Sequence, residues 1–235
     1  MEVDYSNIKV IGFDADDTLW VNETYFREAE ESVGQLLSHY ETPNKIDQEL
    51  FKMEIVNLPT YGYGVKGFIL SMIELAIELS NSTVSNTIIS KILDIGKDMI
   101  NKPIELLDGV EDVLKVLSKD YKLIVATKGD LLDQERKLEK SGLLKYFHHI
   151  EVLSEKHESN YTQLLKRLEI KPESFLMIGN SLKSDILPLV KIGAQAIHVP
   201  FHTTWEHETV TKKEANGSEY KTVECLTEIL DFFNS

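Results

Sequence analysis

Three carboxylates crowd four consecutive positions in Asp14-Ala15-Asp16-Asp17, with a hydroxyl at Thr18, directly after the apolar run Lys9-Val-Ile-Gly-Phe13. Charges this close raise one another's pKa and disfavour the ionised form. A bound divalent cation relieves that repulsion, and hard oxygen ligands suit magnesium. Asp and Thr side chains also bond local backbone amides, so the same run reads as an Asp-rich turn.

Three further pieces bear on the same chemistry. Thr127 ends the run Tyr121–Ala126 and precedes Lys128-Gly129. A hydroxyl there can donate to a phosphoryl oxygen beside the N–H groups of a following helix, or simply cap that helix. Lys156 follows the run His148–Leu153; it could neutralise an anionic substrate and an attacking aspartate, or lie solvated at the surface. In Gly179-Asn-Ser-Leu-Lys-Ser-Asp185, Ser181 suits an N-cap, and Asp185 is either a first-turn carboxylate favoured by the helix dipole or a metal ligand converging with Asp14.

These residues need a frame to bring them together. Five short β-rich runs, Lys9–Phe13, Tyr121–Ala126, His148–Leu153, Ser174–Ile178 and Ala194–Val199, read as strands. From Asp108 onward they alternate with helical patterns: Val110, Val113, Leu114 and Leu117 behind an expected Asp108 cap; Leu131, Leu132, Leu138 and Leu143; Tyr161, Leu164, Leu165 and Leu168; Ile186, Leu187, Leu189, Val190 and Ile192. Such alternation predicts an α/β fold, a Rossmann-like parallel sheet covered by helices on both faces. Ligands of such sheets bind at the carboxyl ends of the strands, where these polar residues stand.

The segment 21–102 differs. Tyr25, Ala29, Val33, Leu36 and Tyr40 share one helical face, and helical patterns follow near Ile46–Val56, Val65–Leu79 and Thr87–Met99 with no convincing strand between them. This predicts an all-helical domain inserted into a core of 1–20 and 103–235. Thr211–Lys221, with Asn216-Gly217, reads as a surface loop before a last helix.

Taken in order, Asp-x-Asp-x-Thr, a threonine, a lysine and Gly-Asn-Ser-x-x-x-Asp at successive strand ends resemble the haloacid dehalogenase-like hydrolase superfamily. The resemblance covers about residues 5–20 and 103–200, and the helical block looks like the cap that family inserts between its first and second motifs. It implies that Asp14 is a nucleophile forming an aspartyl-phosphate, and that Asp16 is acid then base, its backbone carbonyl on magnesium. It implies that Thr127, Lys128 and Lys156 hold the phosphoryl group, while Asn180 and Asp185 complete the Mg2+ site. Asp17 and Thr18 support the loop.

The name-giving dehalogenases look different at Asp16, since they need no leaving-group acid; its presence favours a phosphate ester. Many family phosphatases carry aspartate where this chain has Asn180, which predicts weaker metal affinity. The leading expectation is a magnesium-dependent hydrolase of small phosphate monoesters. The alternatives are a phosphotransferase or mutase with the same intermediate, and a catalytically weak ligand-binding member.

Substrate choice is expected from the cap, where Leu58–Gly67 reads as a mobile loop offering Tyr61, Tyr63 and Lys66. Trp20, at the junction, suits packing as well as contact, and Phe201–Glu208, with Trp205 after the fifth strand, could edge the site but reads better as a packed loop. His198, His202 and His207 are too loosely spaced for a zinc site. Cys225, between Val223 and Leu226, reads as a core thiol.

Composition narrows the partners. The 235 residues carry 39 acidic side chains against 25 Lys and Arg, a net charge of −14. That charge argues against nucleic acids and anionic membranes as partners, and favours a small phosphorylated metabolite. One cysteine excludes an internal disulfide framework, no run reaches membrane-spanning length, and no signal peptide is evident; together these lead us to expect a soluble cytoplasmic protein, of unknown oligomeric state.

Overall fold

A computed structural model describes residues 5–215 and 217–233. The described chain forms two compact units. The first takes in the chain through Val21, Ile104–Lys128 and everything from Gln134 onward; the second takes in Asn22–Pro103 and Gly129–Asp133.

The first unit is built on six parallel strands: β1 (Val10–Phe13), β2 (Lys122–Thr127), β3 (His149–Val152), β4 (Phe175–Gly179), β5 (Gln195–His198) and β6 (Lys221–Thr222), in the order β3-β2-β1-β4-β5-β6. β1 is central, with Phe13 in register with Val125 of β2 and Ile178 of β4. The order reverses direction there, and the crevice between β1 and β4 is the switch point where α/β sheets bind ligands.

Successive side chains of a strand point to opposite faces, and both faces of this sheet are covered. Ile11, Phe13, Leu123, Val125, Leu176 and Ile178 pack with Val110, Val113 and Leu114 of helix α5 (Val110–Leu117, numbered after the four helices of the second unit). Val10, Ile124, Ala126, Phe175 and Met177 pack on the opposite side with Tyr161, Leu164 and Leu165. Each fully buried Ile, Leu or Phe contributes about 1.5–3 kcal/mol, so this alternation fixes which residues leave the strand ends.

Helix α6 (Leu131–Lys140) follows β2, α7 (Glu158–Arg167) follows β3, and α8 (Leu187–Lys191) follows β4 through one π-helical turn, Leu182–Ile186. A short α9 (Lys212–Ala215) precedes β6. The second unit consists of α1 (Glu23–Leu36), α2 (Pro43–Tyr61), α3 (Val65–Leu79) and α4 (Asn86–Asn101), with a core of its own around Val33, Leu37, Leu50, Met72, Leu75 and Ile92. Among the described residues, no helix is long and apolar enough to cross a membrane.

Several local expectations are corrected. Gly109, not Asp108, stands at the N-terminus of α5, at φ 76°, a conformation glycine adopts without steric cost. Leu58–Gly67 is not a loop: α2 runs to Tyr61 and α3 starts at Val65, leaving only Gly62–Gly64 between them. Thr211–Lys221 contains α9 and the first residue of β6; Asn216 within it lies outside the described residues. Leu131 and Leu132 are exposed rather than part of the core stripe, because α6 buries Leu138 instead. Cys225 is exposed, and the segment after it is a 3-10 helix, Leu226–Phe232.

Candidate active site

The carboxyl ends of β1 and β4 define the site. Asp14 continues β1 and its N–H donates to Ile178 O at 2.9 Å, so the sheet ladder itself delivers the carboxyl to the switch point. The loop then turns tightly: Asp17 adopts φ 62°, and its N–H donates to Trp20 O at 2.7 Å. Left-handed backbone at a non-glycine residue costs of order 1 kcal/mol, and Asp tolerates it better than most.

Lys156, buried beyond the end of β3, joins the two strand ends. Its Nζ donates to Asp14 Oδ1 at 2.5 Å and to Asp185 Oδ1 at 2.6 Å. Burial alone would lower the Lys156 ammonium, but the charges of Asp14 and Asp185 hold it well above its ordinary value. Burial pushes the Asp14 carboxyl up to about 7; Lys156 opposes this, and the nearby charges of Asp185 and Asp16 add to it. Two carboxylates thus share one ammonium.

Asp185 reaches the site because β4 ends in glycine: a Cβ at Gly179 would overlap the Asp185 carboxyl. Its Oδ2 accepts from Ser181 N at 3.0 Å, and its own N–H donates to Ser181 O at 2.8 Å. Ser181 caps the turn as expected, accepting from Ser184 N at 3.0 Å. The Thr18 hydroxyl ties the loops together: it accepts from Asn180 N at 3.1 Å and lies 3.3 Å from Asn180 Oδ1 and 3.4 Å from Asp14 Oδ2. One hydroxyl has one proton, so it serves one of those two oxygens at a time.

Asp16 points elsewhere. Trp20 Nε1 and Lys137 Nζ donate to its Oδ1 at 2.8 and 2.9 Å, and Gln134 Nε2 donates to Oδ2 at 2.7 Å. Thr127 is buried at the end of β2, with its hydroxyl donating to Lys128 O at 3.1 Å. Lys128 Nζ donates to Glu208 Oε1 at 2.5 Å and Ser184 Oγ at 3.1 Å. Tyr61, Tyr63 and Lys66 belong to the helical unit, where Tyr61 donates to Glu74 and Lys66 pairs with Asp130 at 2.9 Å.

Asp14, Asn180 and Asp185 offer side-chain oxygens, the donor chemistry of a hard dication, and the two carboxylates share a single ammonium, Lys156. Among the described residues, no group of three or more His, Cys, Asp or Glu side chains is disposed to hold a metal. A cation here would therefore rely on two carboxylates, the Asn180 amide and backbone or solvent oxygens.

Two neighbours of Asp16, Gln134 and Lys137, were not foreseen from the sequence, and neither were the contacts of Glu208. Trp20, Gln134 and Lys137 all grip Asp16, and Glu208 anchors Lys128, Ser181 and Ser184. Trp20 lies four residues from Asp16, and Gln134 and Lys137 are three apart on one helix, but neither spacing signals a contact by itself.

The chain belongs to the haloacid dehalogenase-like hydrolase family, whose model matches residues 8–193, from β1 to the turn beyond α8. It is 31% identical over 124 residues to the glyceraldehyde 3-phosphate phosphatase of Methanothermobacter thermautotrophicus; the match takes in 50% of this chain and 55% of that one, so the chain spans about half the length of that relative. The crystal structure of a haloacid dehalogenase-like family hydrolase from Xanthomonas campestris matches with a TM-score of 0.84 and 36% identity, over 96% of this chain and 92% of the other. A predicted phosphoglycolate phosphatase from Haemophilus somnus shares the fold at a TM-score of 0.64 and 16% identity, over 97% and 99% of the two chains.

Proposed function

We propose that this protein is a magnesium-dependent hydrolase of small phosphate monoesters, working through a phosphorylated Asp14. The observation that carries the reading is the Lys156 bridge between Asp14 and Asp185 at the ends of adjacent strands. A buried ammonium holding two carboxylates orients the first as a nucleophile and adds positive charge where a phosphoryl group would arrive. The 31% identity to a phosphatase over half the chain supports a phosphate ester as substrate.

In the first step an Asp14 carboxylate oxygen attacks phosphorus, and the bond from phosphorus to the leaving oxygen breaks. Asp16 gives that oxygen its proton, and the alcohol departs. Asp16 then takes a proton from water as the water attacks the phosphorus of the aspartyl-phosphate, releasing phosphate and restoring Asp14. Thr127, turning its hydroxyl away from Lys128 O, and Lys156 would hold the equatorial oxygens, whose charge they offset. Magnesium, held by Asp14, Asp185, Asn180 and the Asp16 carbonyl, would supply charge neutralisation for the phosphoryl oxygens.

We assign substrate recognition to the inserted helical domain, spanning about 21–102, which acts as a cap, with Tyr61, Tyr63 and Lys66 contacting the organic part. The net charge of −14 favours a small metabolite of the cytoplasm over a polyanionic partner.

The test is phosphate release from p-nitrophenyl phosphate and from a panel of sugar phosphates and nucleotides, with magnesium or with chelator. Metal-dependent turnover that disappears in a folded Asp14→Asn protein is expected. Retained turnover in that variant, or none in the wild type across the panel, would overturn the reading.

A further inference from the structure

Glu208 ends a short 3-10 turn, Glu206–Glu208, well beyond β5 and outside the segment that matches the family. Its side chain is only 13% exposed, yet it meets three donors: Lys128 Nζ at Oε1, and the Ser181 and Ser184 hydroxyls at Oε2, each at 2.5 Å. Burial works against the charged form, but Lys128 and the two hydroxyls outweigh it and hold the carboxyl down to about 2. Glu208 is thus ionised at any working pH.

Its partners belong to two different strand-end loops. Lys128 follows Thr127 on the loop after β2. Ser181 and Ser184 lie on the loop after β4, where the Ser181 backbone exchanges hydrogen bonds with Asp185. Lys128 Nζ also reaches Ser184 Oγ at 3.1 Å, so Glu208, Lys128 and Ser184 close a ring to which Ser181 is tied through Glu208 Oε2.

We propose that Glu208 is a positioning residue for the phosphoryl-transfer reaction: by holding Lys128, Ser181 and Ser184 together, it sets the spacing between Thr127 and Asp185 and cancels the Lys128 charge beside the metal loop. This rests on the phosphatase reading for its chemistry, though not for its geometry. It reassigns Lys128, whose ammonium serves the Glu208 ring and not the phosphoryl group. Without Glu208, the Lys128 cation would be left without this counter-charge near a site that must attract a dication.

The experiment measures Mn2+ binding to the resting protein by electron paramagnetic resonance, alongside kcat and KM for p-nitrophenyl phosphate, in the wild type, Glu208→Gln, Lys128→Met and the double variant. Glu208→Gln is expected to weaken Mn2+ binding at least about fivefold and to lower kcat/KM about tenfold. The double variant should recover much of the Mn2+ affinity, because the ammonium whose charge Glu208 offsets is gone. A purely structural role would lower Tm without that recovery. Folded Glu208→Gln with binding and kcat/KM within about twofold of wild type, or a double variant whose losses simply add, would overturn the proposal.

Should Glu208→Gln fail to fold, Ser181→Ala/Ser184→Ala removes both Oε2 donors, and unchanged Mn2+ affinity there would overturn it equally. A wild type that binds Mn2+ but releases no phosphate removes the reaction and leaves Glu208 judged on binding. A wild type that binds no Mn2+ removes both.

Discussion

The indole N–H of Trp20 donates to Asp16 Oδ1 at 2.8 Å from a fully buried ring. With Lys137 on the same oxygen and Gln134 on the other, the carboxyl is held at both ends and cannot rotate freely. Trp20→Phe keeps most of the packing and deletes one donor. We expect kcat to fall about tenfold with KM nearly unchanged, since the role proposed for Asp16 is on the leaving oxygen in the transition state. Steady-state kinetics check this; an effect confined to KM would contradict it.

Lys156→Met leaves two buried carboxylates without their shared counter-charge. Breaking a buried ion pair from one side costs about 3–5 kcal/mol, so urea unfolding at neutral pH should show a loss of that order, together with loss of turnover. Burial already raises the Asp14 carboxyl to about 7, and removing Lys156 raises it further. The penalty belongs to the ionised form, so the gap to wild type should narrow as pH falls from about 8 to about 5. A gap independent of pH would count against the pairing.

Asn180→Asp adds a carboxylate to the loop that carries Asp185. We expect half-maximal activity at a lower magnesium concentration, because the donor set gains a negative charge. The metal-free protein should melt at a lower temperature, since the new charge joins the repulsion around Asp14. An unchanged magnesium requirement would refute this account.

Glu54, on α2 of the helical unit, is buried with Oε1 unpartnered. Burial first, then the charges of Glu30 and Glu23, push its carboxyl up to about 8, with Arg27 opposing. The unfolded carboxyl titrates near about 4.3, so the folded chain keeps this proton to higher pH than the unfolded chain does. Stability from this group is therefore complete below about pH 4 and is lost progressively as pH rises to about 8. Glu54→Gln should raise Tm more at pH about 8.5 than at pH about 5, by the equivalent of a few kcal/mol. Equal shifts at both pH values would refute the assignment.

The strands were legible because short β-rich runs ended in polar residues, and β1 through β5 lie within one residue of the expected ends. β6 was not, since Lys221–Thr222 is too short to show any period. The glycines and tyrosines of Leu58–Gly67 suggested a loop, yet α2 continues through Pro59 to Tyr61. Pro59 sits on an exposed face near the helix end, where water can satisfy the carbonyl its missing N–H leaves open. Cys225 was misjudged because Val223 and Leu226 beside it are buried while Cys225 faces outward.

Motif spacing placed Asp14, Lys156 and Asp185, which the fold brings into hydrogen-bonded contact. It gave no contact for Glu208. One acid among 39 carries no periodicity and no motif, and only a non-local turn brings it to Lys128.

The central place of β1 also sets an order of events during synthesis. Its neighbours are β2, more than a hundred residues later, and β4, later still. All four helices of the second unit leave the ribosome before the strand bearing Asp14 has anything to pair with. Local helical contacts form fast and long-range parallel pairing slowly. The strand at the centre of the mature sheet is thus among the last to gain both of its partners, and a nascent chain halted before β4 would hold Asp14 on a strand paired on one side at most.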